Sequence, residues 1–191
     1  MCSRYYLKDE LYDRLEELLG SLNEEIHMAG DVYPSENALV MKGSKEQHPV
    51  ACRMLWGYPG YGGKGLVINA RAESVEEKPL FREGIRHRRC IIPASGFYEW
   101  DRNKQKITFH LPDAETIFFA GCYDLFGGVD CFTILTTEAN SSMQPVHDRM
   151  PLILKREEIA DWLFTNHYRE LLHKTMPELV KECDYEQLSF L

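Results

Sequence analysis

Apolar residues recur at helical spacing near both ends of the chain, and at strand spacing between them. Leu11, Leu15, Leu18, Leu19 and Leu22 form one stripe at three- and four-residue steps, with acids and bases between. That spacing predicts a helix over 8–19 with Gly20 as its stop. From Asp31 the period shortens. A strand end and turn at 31–35, a strand at 38–41, a polar turn at 42–48 and a strand over 52–58 follow in order. Residues 59–65 hold four glycines, too many for a regular element, and Gly63-Lys64 lacks the full spacing of a phosphate-binding loop. Further strands are expected at 66–68, 90–92 and 131–137, and a hairpin from 107–111 and 116–123. Helices are expected over 155–164 and 168–176, and short closing strands at 179–183 and 188–191. Without repeats, low-complexity tracts or a dividing linker, residues 1–191 read as a single domain.

Composition narrows the class. With 44% hydrophobic and 27% charged residues, the chain has the balance of a soluble globular protein. No apolar run approaches the roughly 20 residues of a membrane span, and Met1 to Tyr6 contain no signal-peptide segment. A cytoplasmic protein with no membrane partner is expected. Six cysteines without a C-x-x-C pair suggest reduced thiols, and the seven histidines show no ligand spacing, so neither metal nor cofactor is expected. The net charge of −8, from 22 basic and 30 acidic side chains, argues against coating duplex DNA through bulk charge. A local cationic groove remains compatible with it, and Arg82, Arg86, His87, Arg88 and Arg89 fall within eight positions.

Three places carry candidate chemistry. Cys2 follows an initiator methionine. If Met1 leaves, it presents an amine and a thiol with ordinary pKa values of about 7.7 and about 8.5, so an aldehyde meets two nucleophiles that close a five-membered thiazolidine. The plain alternative is a cysteine that happens to follow the start codon. Glu99 stands among Phe97, Tyr98 and Trp100. Either it is desolvated there, which favours acid–base work, or it faces water while the rings point inward. At the end of the 66–68 strand, Asn69 and Arg71 share a face and suit a carbonyl and a phosphate, or else form a wet edge. His147 and Arg149 sit in a loop stiffened by Pro145 and Pro151.

Four landmarks stand in order: Met1-Cys2-Ser3-Arg4; Asn69-Ala70-Arg71-Ala72-Glu73; Arg89 to Ala94 with Gly96-Phe97-Tyr98-Glu99-Trp100; and Thr136 to Asn140 with His147-Asp148-Arg149-Met150-Pro151. Together they resemble the SRAP family, the SOS-response-associated peptidase fold that shields abasic sites in single-stranded DNA. The resemblance implies an α+β fold, with mostly antiparallel curled sheets forming an open barrel and helices outside. It implies that Cys2, freed of Met1 by the protein's own peptidase-like activity, forms a thiazolidine with the ring-opened abasic aldehyde. Asn69 would hold the Cys2 amine and the sugar carbon, Glu99 would be the acid/base, and His147 would help open the deoxyribose. Arg4, Arg71 and Arg149 would hold phosphates, and Trp56 and Trp100 would stack on bases. The expected partner of this monomer is abasic single-stranded DNA, with replication or repair proteins as further candidates. The chain departs from the family pattern at Ser3, where glycine is usual, and in lacking a second tryptophan near Trp56. Two other readings use the same residues: a cysteine peptidase acting on peptides in trans, and a non-catalytic single-strand-binding module.

Overall fold

The computed structural model describes residues 2–23 and 26–183, so Met1 and the strand expected at 188–191 lie outside it. The chain opens with β1 (Tyr5–Leu7), α1 (Glu10–Leu19) and β2 (Gly30–Val32). The leucine stripe forms α1 as expected, burying Leu11 and Leu15, and Gly20 ends it in the left-handed region at φ 81°. Next come β3 (Asn37–Gly43) and β4 (Pro49–Trp56), then a small hairpin of β5 (Tyr58–Pro59) and β6 (Leu66–Val67) from the glycine-rich stretch. β7 (Asn69–Arg71) leads to α2 (Pro79–His87), β8 (Arg89–Ala94), β9 (Gly96–Trp100) and β10 (Lys106–His110). The long strands β11 (Ile117–Phe126) and β12 (Val129–Glu138) precede β13 (Arg149–Pro151), β14 (Ile153–Leu154), α3 (Ile159–Phe164), α4 (Tyr168–Leu171) and β15 (Val180–Cys183).

Two sheets organise these strands. In the larger, β12, β4, β3, β8 and β11 pair in succession and β11 returns to β12, so the barrel, expected to be open, is closed by the β11–β12 and β12–β4 pairings. β8 is buried along its whole length, as its Cys90-Ile91-Ile92 run anticipates. The second sheet runs β15-β10-β9-β1-β2, all antiparallel. The expected hairpin of 107–111 with 116–123 does not form. β10 pairs β9 and β15, whereas β11 joins the barrel. The turn between them, Pro112–Ala114, places Asp113 and Ala114 in the left-handed region at φ 56° and 53°, which sends the chain from one sheet to the other.

Arg89 is a buried cation with a structural task. Its guanidinium donates to the carbonyls of Ile85, Arg86, Trp162, Leu163 and Thr165 and lies over the Tyr168 ring. It ties the end of α2 to α3. No helix among the described residues is long and apolar enough to cross a membrane.

Candidate functional site

The strand alternation of β9 decides where its carboxylate goes. Phe97 and Glu99 point inward, Glu99 being only 3% exposed, while Tyr98 and Trp100 are half-buried on the outer face. The wet-face alternative for Glu99 is thereby overturned. β1 lies beside β9, with Tyr5 opposite Phe97 and the Tyr98 amide donating to the Arg4 carbonyl at 3.0 Å. This pairing carries Cys2 toward the inward side of Glu99. The Cys2 thiol is buried, and burial first, then the Glu99 carboxylate, push its pKa well above the usual thiol range.

Asn69 reaches the same spot from the barrel. β7 runs parallel to β12, with Asn69 opposite Ile134 and Arg71 opposite Thr136. The Asn69 side-chain amide donates to the Cys2 carbonyl at 3.0 Å, and its Oδ1 is buried without a hydrogen-bond partner among the described residues. Cys2, Asn69 and Glu99, taken from three separated segments, therefore converge.

A second set gathers at the far end of β7. The Arg149 guanidinium forms a two-pronged pair with Glu73, 2.8 Å on each prong, and also donates to the Thr136 carbonyl. The bond from Arg149 holds the Glu73 carboxyl below its usual range, with Arg71 adding to the effect. Arg71 itself is exposed. His147 precedes this pair. Its Nδ1 lies 2.9 Å from the Arg149 amide and 2.9 Å from Asp148 Oδ1. The amide contact needs a bare Nδ1 and the carboxylate contact needs a protonated one, so the ring has a partner in each state. The polar contacts of His147 are to these loop neighbours; none joins it to Cys2, Asn69 or Glu99.

Arg4 occupies the outer side of the second sheet. Its guanidinium is 3.2 Å from Asp31 and stands 4.8 Å from the Tyr33 ring centroid and 5.3 Å from those of Tyr98 and Trp100. Asp31 also accepts from the hydroxyls of Tyr98 and Tyr33, at 3.1 and 3.3 Å. Trp100 thus has an accessible aromatic setting. Trp56 does not. It is fully buried between Tyr5 and Phe132, with its indole N–H donating to the Ile68 carbonyl, so the expected base-stacking role there is withdrawn. Tyr61, fully exposed at the tip of the β5–β6 hairpin shortly before Asn69, is the nearby ring open to solvent. Sequence reading passed over Asp31, Tyr33 and Tyr61. Asp31 and Tyr33 lie in or just past β2, whose pairing with β1 brings them beside Arg4. No group of three or more potential metal ligands occurs among the described residues.

Residues 1–190 match the family described as SOS response associated peptidase (SRAP). The abasic site processing protein YoqW of Bacillus subtilis is 34% identical over 182 residues, covering 85% of this chain and 80% of that protein. The abasic site processing protein YedK of Escherichia coli is 27% identical over 177 residues, covering 85% of this chain and 79% of YedK. A crystal structure of a Bordetella bronchiseptica protein superimposes with a TM-score of 0.81 at 25% identity, over 95% of this chain and 99% of that one.

Proposed function

The chain belongs to the SOS response associated peptidase (SRAP) family, and from that membership and the site's geometry we propose that it processes abasic sites in single-stranded DNA by bonding to them through Cys2. The observation that carries this is the grip of Asn69 on the first residues. A side-chain amide spent on the Cys2 carbonyl, with a buried acceptor left over on the same group, suits a chain whose terminal amine has to be held for reaction.

The chemistry follows from the state of the thiol. A buried thiol whose pKa is pushed up enters as S–H. The α-amine of Cys2, exposed once Met1 is hydrolysed away, therefore adds first to the aldehyde carbon. Loss of the carbinol oxygen as water gives an imine. The sulfur then bonds to the imine carbon while its proton passes to the nitrogen, closing a thiazolidine with one water released overall. Glu99, inward beside Cys2, relays those protons, and the same carboxylate serves the removal of Met1. His147 exchanges the proton that opens the deoxyribose ring, helped by a partner for its Nδ1 in either protonation state. Arg4 and Arg71 receive flanking phosphates, and Arg149 joins them by exchanging its two-pronged Glu73 partner for a phosphate. Trp100 offers a ring to an unpaired base.

The test is adduct formation with an abasic oligonucleotide, alongside a peptide library and the intact mass of the N-terminus. Wild type should lack Met1 and give a stable adduct; Cys2→Ala should give none, and Cys2→Ser at most a reversible imine. A Cys2→Ala protein that crosslinks as well as wild type sinks the proposal. Turnover of peptides without any adduct would establish the trans-peptidase reading instead.

A further inference from the structure

The outer face of the second sheet carries a row of aromatic rings that extends well beyond Arg4. Tyr6 of β1 points to this side. Its hydroxyl end lies over Gly96 of the neighbouring strand, so close that a Cβ there would stand 2.4 Å from Tyr6 Oη. The missing side chain at Gly96 lets the phenol lie down against the sheet. The Tyr6 ring is 5.2 Å from that of Tyr98, inclined at 33°. Tyr98 in turn has the Lys106 ammonium 4.9 Å over its centroid, and Lys8 stands 5.8 Å over Tyr6. The register places Lys106 opposite Trp100 and Thr108 opposite Tyr98, so these side chains share one face of three adjacent central strands. Tyr6, Tyr98, Trp100 and Lys106 are all half-exposed.

An antiparallel sheet with rings on its central strands and cations beside them is how several unrelated folds take up single-stranded nucleic acid. Bases stack on the rings, and the cations follow the backbone. We propose that this face is a stacking platform for the single-stranded DNA on one side of the lesion, with Tyr98 and Tyr6 taking successive bases beyond Trp100 and with Lys106 and Lys8 beside the phosphates. The proposal rests on the abasic-site reading above and adds to it a direction along the protein. The flank leaves the Cys2 end of β1, passes over Arg4 and continues along β1 and β9 toward Lys8. Asp31, held by the hydroxyls of Tyr33 and Tyr98 and by Arg4, fixes the rings at the start of that path.

The experiment uses Cys2→Ala protein, so that equilibrium affinity is read without covalent capture. Three abasic oligonucleotides are compared: short on both sides, long only on the 5′ side, and long only on the 3′ side. One long flank, and only one, should tighten binding. Adding Tyr6→Ala should remove about 5- to 150-fold of that gain, as expected for one lost base stack, and leave the short oligonucleotide's affinity close to its starting value. Lys106→Gln and Lys8→Gln should each flatten the salt dependence by about 0.7 in log–log slope on the long-flanked form. 2-Aminopurine placed in that flank should be quenched on binding, and recover with Tyr6→Ala. Equal affinity for all three oligonucleotides overturns the platform, as does a flank gain that survives Tyr6→Ala and both lysine variants. Should Tyr6→Ala fold poorly, the lysine slopes and the quenching in the Tyr6-containing protein decide alone. Adduct formation by wild type on the short oligonucleotide separates the two claims. Its absence defeats the abasic-site reading, while its presence without any flank gain defeats only the platform.

Discussion

In the proposed reaction Glu99 and His147 divide the proton work, and each makes its own demand on the substrate. Ring opening precedes the aldehyde, whereas dehydration and ring closure follow it. Glu99→Gln keeps shape but removes the exchangeable proton, so single-turnover adduct formation should slow by about 10²–10⁴-fold with little change in DNA affinity. His147→Ala should slow the reaction on a native abasic site and have less effect on a substrate with a permanently open aldehyde. Wild-type rates for both variants on the native site would make the two residues structural. Arg71, exposed and near the Glu73–Arg149 fork, should contribute about 0.7 to the salt slope on single strands, read as the difference between Arg71→Ala and wild type. The fork also has a pH signature. Because the folded Glu73 carboxyl is held below its usual value, its stabilisation is full above the ordinary carboxylate range and is lost as pH falls through the lowered value. Urea midpoints should therefore drop more steeply on acidification in wild type than in Glu73→Gln.

Among the elements, the β8 strand and the α2–α3 junction depend on Arg89. Arg89→Met leaves five carbonyls short of a donor in a buried setting, and each unsatisfied buried group costs about 1–3 kcal/mol before relaxation. A loss of several kcal/mol in chemical denaturation is expected, with Arg89→Lys rescuing little because an ammonium cannot span the same fork. Gly96→Ala would set a Cβ 2.7 Å from the Phe109 carbonyl and 2.4 Å from Tyr6 Oη, costing about 1–3 kcal/mol as overpacking and displacing the Tyr6 ring. These elements show what was legible. Leu11 and Leu15 gave α1, and Cys90 to Ile92 gave β8, because burial imposes its period on local sequence. The pairing of β10 with β15 was not legible, since its partners lie some seventy residues apart and strand period says nothing about neighbours. α2 was not legible because Phe81 and Ile85 are the two large side chains it buries in a short segment otherwise dominated by charge, leaving Pro79 at its first turn as the main signal. Trp56 shows the opposite failure. Its alternation with buried Met54 already pointed inward, and the family resemblance drew it outward. Asn69 and Glu99 converge through tertiary pairing, which only the resemblance foreshadowed.

At the scale of the whole molecule, the net charge of −8 sets the terms of encounter. In the proposed function a rigid duplex meets this net negative charge along its length, whereas a flexible single strand can be led past individual cations such as Arg4 and Arg71. Electrophoretic titration should show intact duplex binding more weakly than single strand at every salt concentration; tighter duplex binding would contradict the proposed single-strand preference. The closed barrel and the second sheet also hold the reacting end of the chain between them. Cys2 is tied by Asn69 to a strand of the larger sheet, and β1 is hydrogen-bonded on both sides, to β9 and β2. In the proposed adduct a motor hauling on the nucleic acid pulls along a strand flanked on both edges, so its hydrogen bonds bear load together rather than parting one at a time. The other end of the described chain is arranged differently. Among the described residues β15 is an exposed edge strand that pairs with β10 only. By contrast, traction on the proposed DNA linkage would load β1 along both of its paired edges at once.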